Sequence, residues 1–236
     1  MMLANKISGW LKEQVTAAGA RGCVVGLSGG IDSAVVALLC QKAFPAETLT
    51  LLLPCHSLEA DMDSARRLAE RFQLKYIGVD LGAPFDALCR ALPVEPGETG
   101  LAVANIKPRL RMITLYYYAQ KLNYLVVGTG NRSELEMGYF TKYGDGGVDL
   151  LPLGNLTKSE VRALAKELGV PQEYIEKAPS AGLWAGQTDE GEMGITYEEL
   201  DKILAGKGGD KQKERLVNQR RRASEHKRRL PPIFTP

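Results

Sequence analysis

Glycines and serines surround a carboxylate early in the chain, in the stretch Gly26-Leu27-Ser28-Gly29-Gly30-Ile31-Asp32-Ser33. The apolar residues 23–25 before it are typical of a buried strand, and residues 34–40 after it are typical of a helix. Glycine lets the backbone approach a ligand closely, and the first N–H groups of a helix have no partners within that helix. The stretch therefore predicts an anion site that suits a diphosphate.

Asp32 adds a carboxylate to this site, which makes chemical sense only if a cation lies between the carboxylate and the phosphates. The stretch has neither the Gly-Lys-Ser/Thr of a Walker loop nor the Gly-x-Gly-x-x-Gly of a dinucleotide fold. A tight turn capped by a serine is the simpler alternative. The order Ser-Gly-Gly-x-Asp-Ser after a strand instead resembles the PP-loop of enzymes that cleave ATP between its α and β phosphates, in which the loop holds the departing pyrophosphate.

The elements around this loop alternate between strand and helix patterns. We expect strands at 23–25, 48–54, 75–80 and 125–128, and helices at 7–18, 34–40, 62–72, 107–122, 157–169, 198–204 and 211–224. This alternation predicts an α/β fold with a doubly wound, mostly parallel, Rossmann-like sheet and helices on both faces. Ligands bind at the carboxyl ends of such strands, so the polar turn 128–134 should face the same crevice as the first loop.

Three further segments have recognisable signals. Prolines and glycines punctuate residues 81–100, which predicts a linker. Residues 138–147 are aromatic, charged and glycine-rich, and we interpret them as an ordered binding loop. Glycines, prolines and small or acidic residues dominate 178–194, which predicts a mobile lid over a nucleotide site.

Composition bounds the class of protein. The chain of 236 residues is 44% hydrophobic and 25% charged, which fits one soluble α/β domain over 1–236 with a basic C-terminal segment, 206–236. No apolar run approaches the ~20 residues of a membrane span, and the first residues do not resemble a secretory signal. We therefore expect a cytoplasmic enzyme.

The basic segment is the clearest charge asymmetry. Ten Lys or Arg against three acids in residues 206–229 give +7, which leaves −5 for the rest of a chain whose net charge is +2. This predicts an anionic partner or a solvated helix. The four cysteines are irregularly spaced, which favours buried thiols over zinc ligands or disulfides. Cys55 and His56 are adjacent, but neighbours at a strand end point in opposite directions, so we do not interpret them as a catalytic dyad.

Several stretches taken together resemble one family, the ammonia-dependent NAD synthetases of the PP-loop ATP pyrophosphatase superfamily. The stretches that carry this resemblance lie between about residues 7 and 233, at 26–33, 105–112, 128–134, 138–146, 152–158, 179–183, 187–190 and 225–228. The resemblance implies that the enzyme amidates nicotinic acid adenine dinucleotide (deamido-NAD) with ammonia. ATP would first convert the nicotinate to an acyl adenylate, and the products would be NAD, AMP and pyrophosphate.

The resemblance also implies residue roles. Thr129, Lys158 and Ser180 would bind ATP together with residues 26–33, and Asp32 and Glu134 would hold Mg²⁺. Asp32, Lys158 and Glu134 would form the catalytic group. The residues implied to bind deamido-NAD are Arg109, Lys142, Asp149, His226 and Lys227.

Simpler interpretations stand beside these roles. Lys158 could decorate a first helical turn, although a cation there is mildly unfavourable, and Glu134 could be an N-terminal helix acid. His226 could be a surface residue.

Partners follow from the same resemblance, which implies a homodimer with dinucleotide sites at the interface. We expect no nucleic-acid or membrane partner. The alternative function is a PP-loop enzyme that modifies tRNA, with 206–229 as its RNA-binding element. The first loop begins at residue 26, which leaves no room for an amidase domain before it, so we expect free ammonia as the nitrogen donor, and a separate glutaminase could supply it in the cell.

Overall fold

Four parallel strands form the central sheet of this computed structural model, which describes residues 2–94, 100–180, 182–184 and 186–235. The strands are β1 (Gly22–Gly26), β2 (Thr48–Leu52), β3 (Tyr76–Gly78) and β4 (Tyr124–Val126). The helices are α1 (Leu3–Ala17), α2 (Ile31–Ala43), α3 (Glu59–Arg71), α4 (Gly82–Ala91), α5 (Leu101–Ala104), α6 (Ile106–Leu122), α7 (Arg132–Met137), α8 (Lys158–Glu167), α9 (Gln172–Glu176), α10 (Asp189–Met193), α11 (Tyr197–Leu204), α12 (Lys211–Ala223) and α13 (Glu225–Arg228).

Successive strand residues point to opposite sides of the sheet, and helices pack against the apolar residues on both faces. Val25 of β1 and Leu52 of β2 pack against α1, α2, α3, α8 and α9. On the other face, Val24 and Leu51 pack against α6 and Phe85 of α4. The predicted doubly wound α/β fold is therefore confirmed.

In the strand order β3-β2-β1-β4, the direction in which successive strands are added to the sheet reverses beside β1. The chain winds from β1 through β2 to β3 on one side, then crosses back to pair β4 with the free side of β1, where Val24 lies opposite Val126. A crevice forms outside the carboxyl ends of two strands at such a reversal. The loop after β1 and the turn after β4 both lie at these carboxyl ends, as the sequence predicts.

A third apolar cluster joins the C-terminal helices to the sheet domain. Met137 of α7 packs with Met193, Tyr197, Leu200 and Val217 from α10, α11 and α12. Val217 is the one residue of α12 that is buried. The basic face of this helix therefore stays in solvent.

The predicted linker over 81–100 is wrong in its first half, which forms α4. Pro84 lies in the first turn of this helix, where a missing N–H costs nothing because that group has no partner within the helix. The short helix α5 lies between this segment and the helix predicted from 107, and the sequence did not predict it. Residues 95–99 of the prediction lie outside the described residues.

The predicted lid, 178–194, contains a packed helix. Thr188 caps the N-terminus of α10 by accepting a hydrogen bond from the Gly191 N–H, and Gly194 ends the helix with a φ of 72°. Asp189 and Met193 are buried. Irregular structure is therefore the wrong prediction for 189–193, because the glycines stop a helix here instead of loosening it. Closure over a nucleotide stays a prediction, and Ala181 and Ala185 lie outside the described residues.

Within the described ranges, every helix is too short or too polar to cross a lipid bilayer.

Replacing Gly29 by alanine should lower the free energy of unfolding, because its φ of 77° and its contact with α3 both disfavour a side chain. An added Cβ would lie 2.8 Å from the backbone oxygen of Asp61 and 3.0 Å from the backbone nitrogen of Ala65. Gly169 is the matched control, since its φ is 75° but no described atom lies within 4 Å of an added Cβ. We expect Gly29→Ala to cost about 1–3 kcal/mol more than Gly169→Ala in urea unfolding. Equal costs would contradict the close contact with α3.

Candidate active site

The loop between β1 and α2 is closed by its own serines. The Ser28 N–H donates to Ser33 Oγ at 3.1 Å, and Ser33 Oγ donates to the Gly30 carbonyl at 2.9 Å. Ser28 Oγ accepts from the Gly30 N–H at 3.2 Å. These bonds hold the loop over the start of α2, a helix of 13 residues. Such a helix N-terminus attracts anions.

Asp32, Lys158 and Glu134 meet beside this loop. Lys158 Nζ donates to Asp32 Oδ2 at 2.5 Å and lies 3.7 Å from Glu134 Oε1. Only 1% of Lys158 is exposed. A lysine that merely decorated a first helical turn would point into solvent, so that simpler interpretation is wrong.

Capping interactions place these side chains. Asn131 caps α7 by accepting from the Glu134 N–H, and the Glu134 carboxylate accepts from the Asn131 N–H. The Asn131 Nδ2 also donates to Asp32 Oδ1 at 3.0 Å. Glu134 is therefore both an N-terminal helix acid and a member of the site. The predicted capping box of Thr157 and Glu160 forms at the start of α8 and places Lys158 in its first turn.

Burial and charge perturb the titration of this group. Burial and then the Asp32 carboxylate raise the pKa of Glu134 to about 8. Burial lowers the pKa of the Lys158 ammonium, but the carboxylates of Asp32 and Glu134 outweigh it, so the net pKa is raised. Burial also raises the pKa of Asp189. Lys158 therefore stays charged at neutral pH, while excess negative charge is unfavourable in the site.

Tyr197 and Asp189 complete the cluster, and sequence reasoning assigned neither a role. The Lys158 Nζ lies 4.9 Å from the centre of the Tyr197 ring. The Tyr197 hydroxyl donates to Asp189 Oδ2 at 2.9 Å and lies 3.4 Å from Glu134 Oε1. Asp189 belongs to the stretch 187–190, which carries the family resemblance, and this was the one sequence feature that pointed to a functional role for it. Tyr197 had no signal, since it lies just before the helix predicted at 198–204.

Four of the five residues predicted to bind the dinucleotide form a connected basic group. The Arg109 guanidinium donates to the Lys142 carbonyl at 3.4 Å, and Lys142 Nζ donates to the His226 carbonyl at 2.7 Å. Lys227 follows His226 and donates to the carbonyls of Gly138 and Phe140. The structure therefore brings the end of the basic segment against the predicted binding loop 138–147.

Two predicted residues stand apart from this group. The Asp149 carboxylate accepts from the Tyr116 hydroxyl at 3.0 Å and from the Val126 N–H at 2.8 Å, which anchors it to the end of β4. Ser180 is exposed, and its Oγ accepts from the Gly182 N–H at 3.1 Å. The bonds of these two side chains thus anchor local structure and do not join them to the Asp32–Lys158–Glu134 cluster.

A cavity of about 310 Å³ connects the two groups of predicted residues. Thr129 and Glu134 line it together with Phe140 of the binding loop and Lys227. A single cavity therefore meets both the carboxylate cluster and a cation of the basic group.

The cluster suits a hard divalent cation that arrives with a ligand. In the described residues, no group of three or more His, Cys, Asp or Glu is placed to hold a metal alone. Asp32 and Glu134 nevertheless supply carboxylate oxygens, and Asp189 Oδ1 is buried with no hydrogen-bond partner among the described residues. Mg²⁺ is usually held by one or two carboxylates together with substrate phosphates. The donor set therefore fits Mg²⁺ in the presence of a nucleotide.

Comparison with known proteins agrees with this geometry. The family model for NAD synthase matches residues 3–231. The NH(3)-dependent NAD(+) synthetase of Carboxydothermus hydrogenoformans is 56% identical over 233 residues, which cover 97% of this chain and 95% of that protein.

Solved structures show the same relationship. The NMN synthetase of Francisella tularensis superposes with a TM-score of 0.92 at 43% identity, covering 99% of this chain and 97% of that one. The NH3-dependent NAD synthetase of Campylobacter jejuni has a TM-score of 0.80 at 33% identity with the same coverage. Because sequence and fold agree over nearly the whole length, this chain is a member of the NAD synthase family.

Proposed function

We propose that this chain is a ligase that amidates deamido-NAD to NAD with free ammonia and cleaves ATP to AMP and pyrophosphate. The observation that carries this proposal is the cavity that Thr129, Glu134 and Lys227 line together. The name NH(3)-dependent NAD(+) synthetase of the curated relatives supports it. These relatives give no support to the tRNA-modifying alternative.

Two steps are needed because a carboxylate resists ammonia. The nicotinate oxygen first attacks the α-phosphorus of ATP, so that an acyl adenylate forms and pyrophosphate leaves. The nitrogen lone pair of ammonia then attacks the acyl carbon, AMP leaves with the bonding electrons, and the nitrogen loses a proton. Both steps release a stabilised anion, so catalysis depends on binding the negative charge that develops.

The residues of the cluster supply much of that binding. The N–H groups at the start of α2 and the Lys158 ammonium would hold the departing pyrophosphate. Asp32 and Glu134 would hold Mg²⁺, which supplies further neutralisation of the triphosphate. Thr129 and Ser180 complete the ATP site in this proposal, and Ser180 would approach it as the predicted lid, 178–194, closes.

The basic group would bind the pyrophosphate of deamido-NAD. Arg109, Lys142 and Lys227 have donor N–H groups beyond those that contact backbone carbonyls, and guanidinium and ammonium groups both bind phosphate. Lys227 lines the cavity and would lie nearest the nicotinate. Asp149 and His226 complete the substrate site, with Asp149 held in place by β4.

Assembly and location form the remaining part of the proposal. We infer one catalytic domain over 1–236 that works as a cytoplasmic homodimer, with each dinucleotide site at the interface. Ile113 and Tyr117 of α6 are 59% and 58% exposed and offer apolar surface for such an interface. A separate glutaminase could supply the ammonia, but the ligase would not require it.

A second candidate substrate is the mononucleotide. The high TM-score with an NMN synthetase favours it, since NMN is the nicotinamide half of NAD and carries the same reacting carboxyl in its acid form. The two substrates share the adenylation chemistry and differ in the adenylate half that the basic group would bind.

Mass spectrometry of the product tests both candidates. The purified chain should convert deamido-NAD, ATP, Mg²⁺ and isotope-labelled ammonium to labelled NAD with equimolar AMP and pyrophosphate. Nicotinic acid mononucleotide and unlabelled glutamine are run in parallel arms. A higher kcat/KM for the mononucleotide would replace the first substrate by the second. Robust synthesis from glutamine in ammonia-free buffer would contradict use of free ammonia.

Asp32→Asn should abolish formation of the adenylate. The neutral amide has the shape of the carboxylate but cannot neutralise Lys158 or hold Mg²⁺, so ATP–pyrophosphate exchange that depends on deamido-NAD should fall at least about 100-fold. Asp63→Asn, which removes an exposed pair with Arg66, is the control for loss of a surface carboxylate. Near-normal exchange by a folded Asp32→Asn protein would rule out the assigned role.

Glu134→Gln should remove part of the pH dependence of stability in the protein without nucleotide or Mg²⁺. The folded pKa of about 8 lies above the ordinary value of 4.5, so the folded chain holds this proton more tightly. The resulting stability is fully present below pH 4.5 and is lost as the pH rises through 8.

Thermal unfolding at a series of pH values from below this window to above it provides the measurement. The Tm of Glu134→Gln minus that of the parent should grow as the pH rises, because the glutamine cannot lose a proton. Glu173→Gln in α9 is the control for loss of an exposed carboxylate. A constant difference for Glu134→Gln would contradict its raised pKa.

A further inference from the structure

The carboxylate of Asp201 joins the first turns of two helices. Its Oδ1 accepts from the Ser133 hydroxyl at 2.6 Å, and its Oδ2 accepts from the Ser159 N–H at 2.9 Å and the Ser159 hydroxyl at 2.6 Å. Ser133 precedes Glu134 in α7, and Ser159 follows Lys158 in α8. Asp201 is therefore hydrogen-bonded to the residue next to Glu134 and to the residue next to Lys158.

Ser133 also connects the two helices directly. Its Oγ accepts from the Lys158 N–H at 3.1 Å while its proton goes to Asp201. Ser133 is fully buried, and Asp201 is only 8% exposed. All three groups that contact Asp201 are donors, and an ionised carboxylate has enough lone pairs to accept from all of them. This network therefore requires a carboxylate.

The helix that carries Asp201 is fixed against both partners. Tyr197 lies one turn before Asp201 on α11, and its ring faces the Lys158 ammonium. Near the other end of α11, the Arg132 guanidinium donates to the Leu204 carbonyl at 3.1 Å. Since α11 is held at both ends, Asp201 has a defined position relative to α7 and α8.

The charge of Asp201 also offsets an unfavourable placement. Lys158 is the first residue of α8, where the positive end of the helix dipole disfavours a cation. The Asp201 carboxylate accepts a backbone N–H of the same first turn, where the dipole favours an anion. A negative charge at this point helps α8 to begin at a buried lysine.

We propose that Asp201 is a positioning residue that sets the placement of Lys158 relative to Glu134 by clamping the first turns of α7 and α8. This inference rests on the proposed function. Asp201 acts through Ser133 and Ser159, and the reacting groups meet Lys158 and Glu134. The clamp matters for rate because a shift of about 1 Å in a charged group can cost roughly 100-fold.

Asp201→Asn tests the clamp with little change in shape. The amide offers one acceptor oxygen to three donors, so at least one of the three bonds must be lost. At saturating substrates we expect kcat to fall about 10- to 100-fold, with the KM for ATP changed less than about threefold. The KM for ATP should change little because the first loop would bind the ATP phosphates, and the bonds that close this loop do not involve Asp201.

Thr196→Ala is the matched control on the same helix. Thr196 caps α11 in a capping box with Glu199, and its loss should lower stability by about 1 kcal/mol without touching the carboxylate. Its kcat, measured well below the Tm, should stay near that of the parent. If Thr196→Ala lost as much kcat as Asp201→Asn, the role of Asp201 would be only structural and the proposal would be overturned.

Ser133→Ala and Ser159→Ala test the clamp even if Asp201→Asn does not fold, because each should lower kcat by itself. Where Asp201→Asn does fold, its combination with Ser133→Ala should lose less than the product of the separate losses. Unchanged kcat in both serine variants would overturn the clamp. Absence of deamido-NAD-dependent activity in the parent would instead refute the proposed function, so the two failures are distinguishable.

Discussion

The buried ammonium of Lys158 is the interaction on which the site depends. A charge with 1% exposure is tolerated only when opposite charges and hydrogen bonds replace water, and Asp32 and Glu134 supply them. Removing one partner of a buried ion pair typically costs about 3–5 kcal/mol. The three side chains come from α2, α7 and α8, so this pairing ties three helices to one point.

The starts of these helices converge on the crevice beside β1. Gly30, Asn131 and Thr157 are the N-cap residues, so three positive helix ends face the same region. Helix ends and Lys158 attract phosphate oxygens, while the carboxylates can hold the counter-cation of those oxygens. The cap residues therefore serve the fold and the site together, as the two bonds of Asn131 illustrate.

The basic group meets this crevice from the far end of the chain. Its cations donate to backbone carbonyls, and Lys227 also lines the cavity. Near its end, the strongly basic segment 206–229 contacts the binding loop through the His226 carbonyl, which accepts from Lys142, and through the Lys227 ammonium, which donates to Gly138. A long exposed helix, α12, carries the remaining excess charge in solvent.

Local signals determined the larger part of the fold. The strand segments, the loop at 26–33 and the capping box of Thr157 follow from residues within a few positions of one another. The errors at α4 and α10 have the same origin. Proline and glycine usually interrupt helices and strands. In α4 the proline lies in the first turn and in α10 the glycine follows the last residue, and both positions are compatible with a helix.

The sequence by itself also determined the family and the candidate residues of the crevice, through motifs whose order is specific. Only the tertiary structure decided that Lys158 is buried between two carboxylates, and that Tyr197, Asp189 and Asp201 surround it. Lys158 is 126 residues from Asp32, and Asp201 is 68 residues from Ser133. No local period relates residues at such separations. The packing of α2 against α8 brings Asp32 to Lys158, and the packing of α11 across α7 and α8 brings Asp201 to Ser133.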